Sequence, residues 1–461
     1  MYAPLGRVLK TAYEGLKQQN RREIIMPEQE SCVSGLIKLG MPKIKKSAPI
    51  SKYPLSSTQT GIFFLSQMNH SGLALELCYQ LILRGIPDDA ALEKALYALE
   101  ERHPVLKTRF VLDEGKAWQY IVSNQKLNIS YYNFLHLTSI ERDSKLKQII
   151  QTELEQSFQI FDSPLVHYCL IRYAADRTII LLKVHHLITD GFSFEILHRH
   201  FAEFYNQYHK GGTLISSDES TYSDYVCWEN ELTDTKYYQE SKSFWEKTVK
   251  PKCDPLELAS DFPRPYPRQY TGSIFEQQLD QTSKKQLIHL GIQRSVSLAT
   301  VLLTALAIVL YKHSGQNDFY IGVVVNGRSN LPQLRNIVGV FSKILPIRLT
   351  FDPNMKIGDL LQYVNMQLTE SLDHQLYPTH EIINMNSNQK SADFAPLYRV
   401  LFNMQQTEKT EIDWDGLKEE QWSKLDANSS MYDLAVHVFD NNECLKLKIE
   451  YCTALFTEVT V

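Results

Sequence analysis

Leu92, Ala95, Leu96 and Leu99 recur at helical spacing, and so do Phe194, Leu197, Phe201, Phe204 and Tyr205. Both sets predict helices that turn one face to a core. Between them Thr178 to Val184 (TIILLKV) is almost continuously apolar and rich in β-branched residues, the pattern of a strand covered on both faces. Leu298 to Tyr311 predicts a buried helix, and Phe319 to Val325 and Leu445 to Tyr451 predict two later strands. The stretch Asp261 to Gly272 (DFPRPYPRQYTG) carries Pro263, Pro265 and Pro267, so it cannot lie inside a central strand or helix. It reads as a crossover between two lobes.

At 461 residues the chain exceeds one ordinary core, which predicts two lobes with separate buried centres. Hydrophobic residues at 43% and charged residues at 22% match a folded globular protein rather than a disordered one. The first fifty residues differ. Leu5, Leu9, Ala12 and Leu16 follow a helical period over Pro4 to Ile25, and a Lys-rich run follows at Lys43, Lys45 and Lys46. Residues 1–52 read either as a linker or docking segment or as a helix packed on the body. Ten Lys or Arg against four Glu there suit contact with an acidic partner, and the segment is expected to be dispensable for chemistry.

A net charge of −5 gives no basic face for nucleic acid. The Leu298–Tyr311 run is shorter than the ~18 residues a membrane span needs, and the N-terminus has no signal-peptide pattern. Cys32, Cys78, Cys169, Cys227, Cys253, Cys444 and Cys452 are odd in number and form no C-x-x-C pair, as expected of reduced thiols in a cytoplasmic protein.

The most informative stretch is His185-His186-Leu187-Ile188-Thr189-Asp190-Gly191, an HHxxxDG signature at the exit of the predicted strand. Side chains alternate across a strand, so one histidine can face a cavity while its neighbour packs inside. That geometry disfavours a shared metal, and none is expected here. His185 reads as a core residue. His186, with an ordinary pKa of ~6.5, can take a proton from an attacking nucleophile. Asp190 fits an orienting partner, a structural ion pair or a turn cap, and Gly191 either a close approach that a β-carbon would block or a plain turn.

The chain resembles the condensation domains of nonribosomal peptide synthetases from Tyr53 to Val461, because further motifs follow in the family's order. They include Ser57, Gln59, Gly61 and Leu65; Arg102, His103, Leu106, Thr108 and Phe110; and Tyr222, Asp224, Tyr225 and Trp228. Gly327, Arg328, Gly339, Phe341, His374, Gln375, Pro378, Pro396, Phe402, Asn403, Gln405, Tyr432, Asp433 and Leu434 continue the series. Lys107, Phe192, Ser342 and Lys343 depart from the family's usual residues, the last two in a loop expected to lie over the tunnel and to influence the acceptor.

The resemblance implies an α/β fold of two chloramphenicol-acetyltransferase-like lobes in a V-shaped pseudo-dimer with a tunnel between them, residues 53–230 and 231–461. It implies joining of a carrier-bound acyl or peptidyl thioester to an amine, or a hydroxyl, at His186 and Gly191. His185, Asp190 and Arg328 would give support, with Arg328 paired to Asp190. No cofactor is implied in the domain itself. Substrates would arrive on phosphopantetheine arms of upstream donor and downstream acceptor carrier proteins, among neighbouring synthetase modules. The gene product is expected to continue beyond Val461. A coenzyme A-dependent acyltransferase and a non-catalytic carrier-docking platform are the alternatives.

Overall fold

The structure is a computed structural model that describes residues 44–46, 52–67, 75–213, 219–251, 253–328, 331–386, 397–406, 412–441 and 443–461. The segment 1–52, with its expected helix at Pro4 to Ile25, lies outside these apart from residues 44–46 and 52, of which Ile44 packs into a core.

The predicted strand is β7 (Arg177–His185), paired antiparallel with β2 (Glu76–Arg84) on one side and β6 (Val166–Ala174) on the other. Its alternation explains its composition. Ile180, Leu182 and Val184 face a large core with helices α2 (Asp89–Arg102) and α4 (Gly191–His209), while Ile179 and Leu181 face a smaller cluster with Ile149 of α3 (Ser139–Glu155). Each helix begins at a side-chain cap: Asp88 accepts from the Ala91 N–H at 3.1 Å, Thr138 from the Glu141 N–H at 3.4 Å, and Asp190 from the Ser193 N–H at 2.9 Å.

A second sheet, ordered β10 (Lys343–Thr350), β9 (Asp318–Val325), β11 (Val400–Gln406), β13 (Leu434–Asp440), β14 (Leu445–Cys452), β8 (Gly272–Leu279), covers a separate core. That core takes Val301, Leu303 and Ala307 from the apolar helix Leu298–Ser314, which ends at Gly315 in the left-handed conformation, φ 69°. Among the described residues no single helix is long and apolar enough to cross a membrane. The proline-rich crossover is pinned by Arg264, whose guanidinium donates two bonds to the buried Asp433 at 3.0 and 2.5 Å.

Two excursions knit the halves together in a way a boundary at 230/231 does not describe. Strand β12 (Lys418–Leu425) leaves the second half and pairs antiparallel with β2, so the first sheet runs β12-β2-β7-β6-β5, with β5 at Ile129–Asn133. Trp414 enters the first core beside Phe201 and Tyr205, and His198 meets the Glu419 carboxylate at 2.9 Å. Between β9 and β10, Leu334, Ile337, Val338, Val340 and Phe341 also pack into the first core.

Candidate functional site

Strand β7 delivers the histidine pair to the place where the two halves meet. His185, its last residue, is buried, and its Nδ1 accepts the Leu187 N–H at 3.0 Å. Burial pushes its pKa down to about 3, with His186 and Lys183 adding to the effect, so it stays neutral. The His186 N–H donates to the Leu75 carbonyl at 2.8 Å, which fixes the backbone of the turn. The side chain of His186 is less enclosed. Its Nδ1 is buried and makes no hydrogen bond among the described residues, leaving Nε2 as the nitrogen available to a reactant. Burial lowers its pKa below that of free imidazole, the Asp190 charge works against this, and Lys424 of β12 lowers it further.

Asp190 caps α4 and forms an ion pair at once. Fully buried, it receives Arg328 Nη1 on Oδ2 at 2.7 Å and Nη2 on Oδ1 at 3.1 Å. Oδ1 also accepts the N–H and hydroxyl of Ser193, and Oδ2 accepts the N–H groups of Phe341 and Ser342 and the Ser342 hydroxyl. Burial alone would raise the Asp190 pKa, but the guanidinium and these donors hold it at about 2. None of the donors is His186. Asp190 therefore braces the turn that carries His186 and does not hydrogen-bond to its ring.

Arg328 is 2% exposed, and its guanidinium lies over the Phe341 ring at 4.2 Å and the Phe192 ring at 4.9 Å. Ser193, which the sequence reading did not single out, is the hub: its hydroxyl also accepts Arg328 Nη2 at 2.8 Å and the Gly339 N–H at 3.1 Å. A second route runs from the Leu187 carbonyl to Gln59 Nε2 at 3.0 Å, then through Ser56 to the Tyr222 hydroxyl, which donates to the Val340 carbonyl at 3.0 Å. Both routes end on residues 339–342, so that segment is bound to the motif turn from two sides.

Gly327 and Gly339 are needed for this closeness. Gly327 has φ +66°, and a β-carbon there would stand 2.1 Å from the Phe341 carbonyl oxygen. At Gly339 it would stand 2.0 Å from the Tyr222 ring. Gly327→Ala is expected to lower stability by at least ~2 kcal/mol, combining left-handed strain with backbone overlap. A shift of the urea midpoint at unchanged slope would register it.

Gly191 does not share that constraint. It is the first residue of α4, without positive φ, and a β-carbon would meet only Gln405 Nε2 at 3.8 Å, an ordinary contact. Of the two readings of Gly191, the geometry favours the plain turn over the close approach, since only Gln405 comes near. Gln405 locates the space beside Gly191. Val400 and Phe402 of β11 point into the second core, so Asn403 and Gln405 alternate toward the other face, the one that meets the motif turn. His437 pairs with Asn403 across β11 and β13, and its Nδ1 lies 3.2 Å from the Asn403 amide.

The side chains of Ser342 and Lys343 both turn inward. The Ser342 hydroxyl reaches Asp190, and the buried Lys343 ammonium contacts Glu229 at 3.0 Å and the Ser57 hydroxyl at 3.3 Å. Burial opposes ionisation of Glu229, but Lys343 and the Ser57 donors keep its pKa below the ordinary value. This pair joins β10 to the start of α1 (Ser57–Gln67) and to α5 (Tyr222–Glu231) across the lobes.

Known proteins match both the sequence and this arrangement. The chain is 27% identical to surfactin synthase subunit 2 of Bacillus subtilis (strain 168) over 418 residues, 91% of this chain and 11% of that protein. It is 28% identical to tyrocidine synthase 3 of Brevibacillus parabrevis over 416 residues, 90% of this chain and 6% of that protein. It thus spans about a tenth or less of the length of these two relatives. Among solved structures, the starter condensation domain of rhizomide synthetase RzmA superposes with a TM-score of 0.73 at 19% identity, covering 89% of this chain and 92% of that one. The X-domain in its complex with OxyB from teicoplanin biosynthesis gives 0.82 at 20% identity, covering 91% and 92%. These likenesses carry the two-lobed, chloramphenicol-acetyltransferase-like fold. The family model for the condensation domain matches residues 50–461, and the chain accordingly belongs to the condensation-domain family of nonribosomal peptide synthetases, acyltransferase-type domains that form amide bonds.

Proposed function

We propose that this chain joins an acyl or peptidyl thioester on an upstream carrier protein to an amine, or a hydroxyl, on a downstream carrier, with His186 at the reacting atoms. The observation that supports this reading best is a neutral His186 with an unbonded Nδ1, on a turn braced by the Asp190–Arg328 pair at the junction of the lobes. Phosphopantetheine arms would bring each substrate to the junction as its tether, and the domain itself would hold no cofactor.

The chemistry asks little of the protein. A thioester carbonyl is already activated, and its thiol, with a pKa of ~8.5, leaves without strong acid assistance. An α-amine with a pKa of ~7.7–8.0 is mostly protonated at neutral pH and must be free to attack. Its nitrogen forms the new C–N bond, the C–S bond breaks, and the amine's proton ends on the departing thiolate. Nε2 of His186 is suited to hold that proton in between, or to orient the free amine, and holding two tethered groups at contact distance supplies much of the rate. Gly191 leaves open space beside this position, bordered by Gln405.

A binding-module reading is favoured by one observation: the structurally similar X-domain is found in complex with OxyB. Incubation with acyl-carrier donor and aminoacyl-carrier acceptor, read by intact-protein mass spectrometry, separates the readings. Transfer between carriers is the expected result. Transfer from acyl-coenzyme A alone would replace the donor assignment, and carrier binding without transfer would support the module.

A further inference from the structure

Behind β7, on the face away from the motif turn, lies a buried polar cluster that the proposed chemistry does not use. His167 and Cys169 are two residues apart on β6 and so point to the same side of the sheet, toward α3. Glu153, in the last turn of α3, comes down onto them. Its Oε2 lies 2.9 Å from His167 Nδ1, its Oε1 lies 3.4 Å from Cys169 Sγ, and Sγ stands 3.9 Å from Nδ1. Glu153 is 5% and Cys169 1% exposed, whereas the His167 side chain keeps 18% of its surface, which leaves a way in.

We propose that Glu153, His167 and Cys169 bind one zinc ion. Carboxylate, imidazole and thiolate are all zinc donors, and with Zn–S ~2.3 Å and Zn–N ~2.0–2.1 Å a tetrahedral site sets its donors about 3.3–3.6 Å apart. One donor atom from each of the three residues lies within 4.8 Å of the other two, so modest side-chain adjustments bring the three donors to that spacing. The ring's far nitrogen is already held: His167 Nε2 lies 3.0 Å from the Ser130 hydroxyl on β5. Such a hydroxyl is the outer partner that orients a ligating imidazole.

Without metal, the Ser130 hydroxyl donates to Nε2 and Nδ1–H donates to Glu153. With metal, the ring proton moves to Nε2, the hydroxyl becomes the acceptor, and Nδ1 turns its lone pair to the ion. The Cys169 thiol loses its proton to solvent, so one proton is released per ion bound. Three protein donors leave a fourth position for water.

Burial and the Glu153 carboxylate keep the Cys169 thiol protonated until a metal displaces its proton, and among the described residues Lys183 is the one neighbour that opposes this. Glu76 lies in the same end of the sheet, with Oε2 buried and unbonded among the described residues. Burial raises its pKa to about 7, with the Phe158 N–H and Lys183 opposing. The Lys183 ammonium, engaged by the Gln156 carbonyl, neighbours Glu76, Glu153 and Cys169.

The test uses the full chain, dialysed against Zn²⁺ for metal content and titrated with Co²⁺ for its absorption spectrum. Expected are one equivalent of zinc, a tetrahedral cobalt spectrum with a thiolate charge-transfer band, and a higher melting temperature with metal. Cys169→Ser should abolish both the band and the bound equivalent, and His167→Ala the bound equivalent. Cys78→Ser, at a neighbouring buried thiol, should keep both. Substoichiometric zinc, a cobalt spectrum lacking the thiolate band in the unaltered chain, or an equivalent that survives Cys169→Ser would each overturn the assignment, and the unaltered-chain spectrum decides even if a variant fails to fold.

Discussion

Replacing His186 with alanine is expected to slow condensation by ~10²- to 10⁴-fold while leaving the melting transition and carrier binding unchanged, if its imidazole takes the proton. The expectation rests on position. Nδ1 is enclosed, and the ring is tied to the fold only by weak contacts with the backbone of its own turn at His186 and Thr189, so losing it costs little stability. The pH profile gives the sign. With its pKa lowered by burial, the ring is neutral at physiological pH, so beneath the gradual fall that protonation of the amine causes below ~pH 8, protonation of His186 adds a steeper acid limb only below ~6.5, the value for free imidazole. In His186→Ala that acid limb should vanish along with the rate. A loss of less than tenfold, partly restored by His186→Asn, would instead assign the ring to orienting the amine. Carrier-dependent turnover followed from pH 5 to pH 8 distinguishes the two outcomes.

The parts of this protein that were legible in the sequence are those whose signal is local. The almost continuous apolar, β-branched run TIILLKV pointed to a strand with two covered faces, and it is flanked by two separate apolar clusters. The run from Leu298 is continuously apolar because the helix there is enclosed by the second core. Strand β12 shows the opposite case. Its sequence, KEEQWSKL, has no apolar alternation, and it is held by backbone pairing along the edge of β2, by Trp422 against Tyr79 and His198, and by His198 against Glu419. Those partners lie more than two hundred residues away, so no local pattern announces them.

The site divides along the same line. Asp190 offered a cap, an ion pair and an orienting base as separate readings, and the geometry joins the first two because a carboxylate has enough lone pairs to serve both. Ser193 is an ordinary serine in the first turn of a helix, and only the return of residues 337–342 makes it a hub. At Gly191 the sequence left a close approach and a plain turn both open, and the geometry favours the second.

Asp190→Ala and Arg328→Ala are each expected to cost ~3–5 kcal/mol of stability, because each leaves the other's charge buried without its partner. The geometry makes this larger than for a surface pair. Both residues are almost fully enclosed, and the Arg328 Nε is already unbonded among the described residues, so the guanidinium depends on Asp190, Ser193 and backbone carbonyls. In Asp190→Ala, the N–H groups of Phe341 and Ser342 and the α4 cap also lose their acceptor. The double variant should be less damaging than the sum, since it removes the stranded charge together with the pair. Acid should act through the same carboxylate. Its folded pKa of about 2 lies below the unfolded value of ~3.9, so its contribution is fully present above ~pH 4 and is lost as pH falls through about 2. That shift corresponds to ~2–3 kcal/mol, and Asp190→Asn should flatten this part of the stability profile. Denaturant midpoints measured between pH 2 and pH 7 for the unaltered chain and the four variants test both statements. If the single variants unfold like the unaltered chain and lose only the chemical step, Asp190 acts on His186 directly and the bracing role assigned to it is wrong.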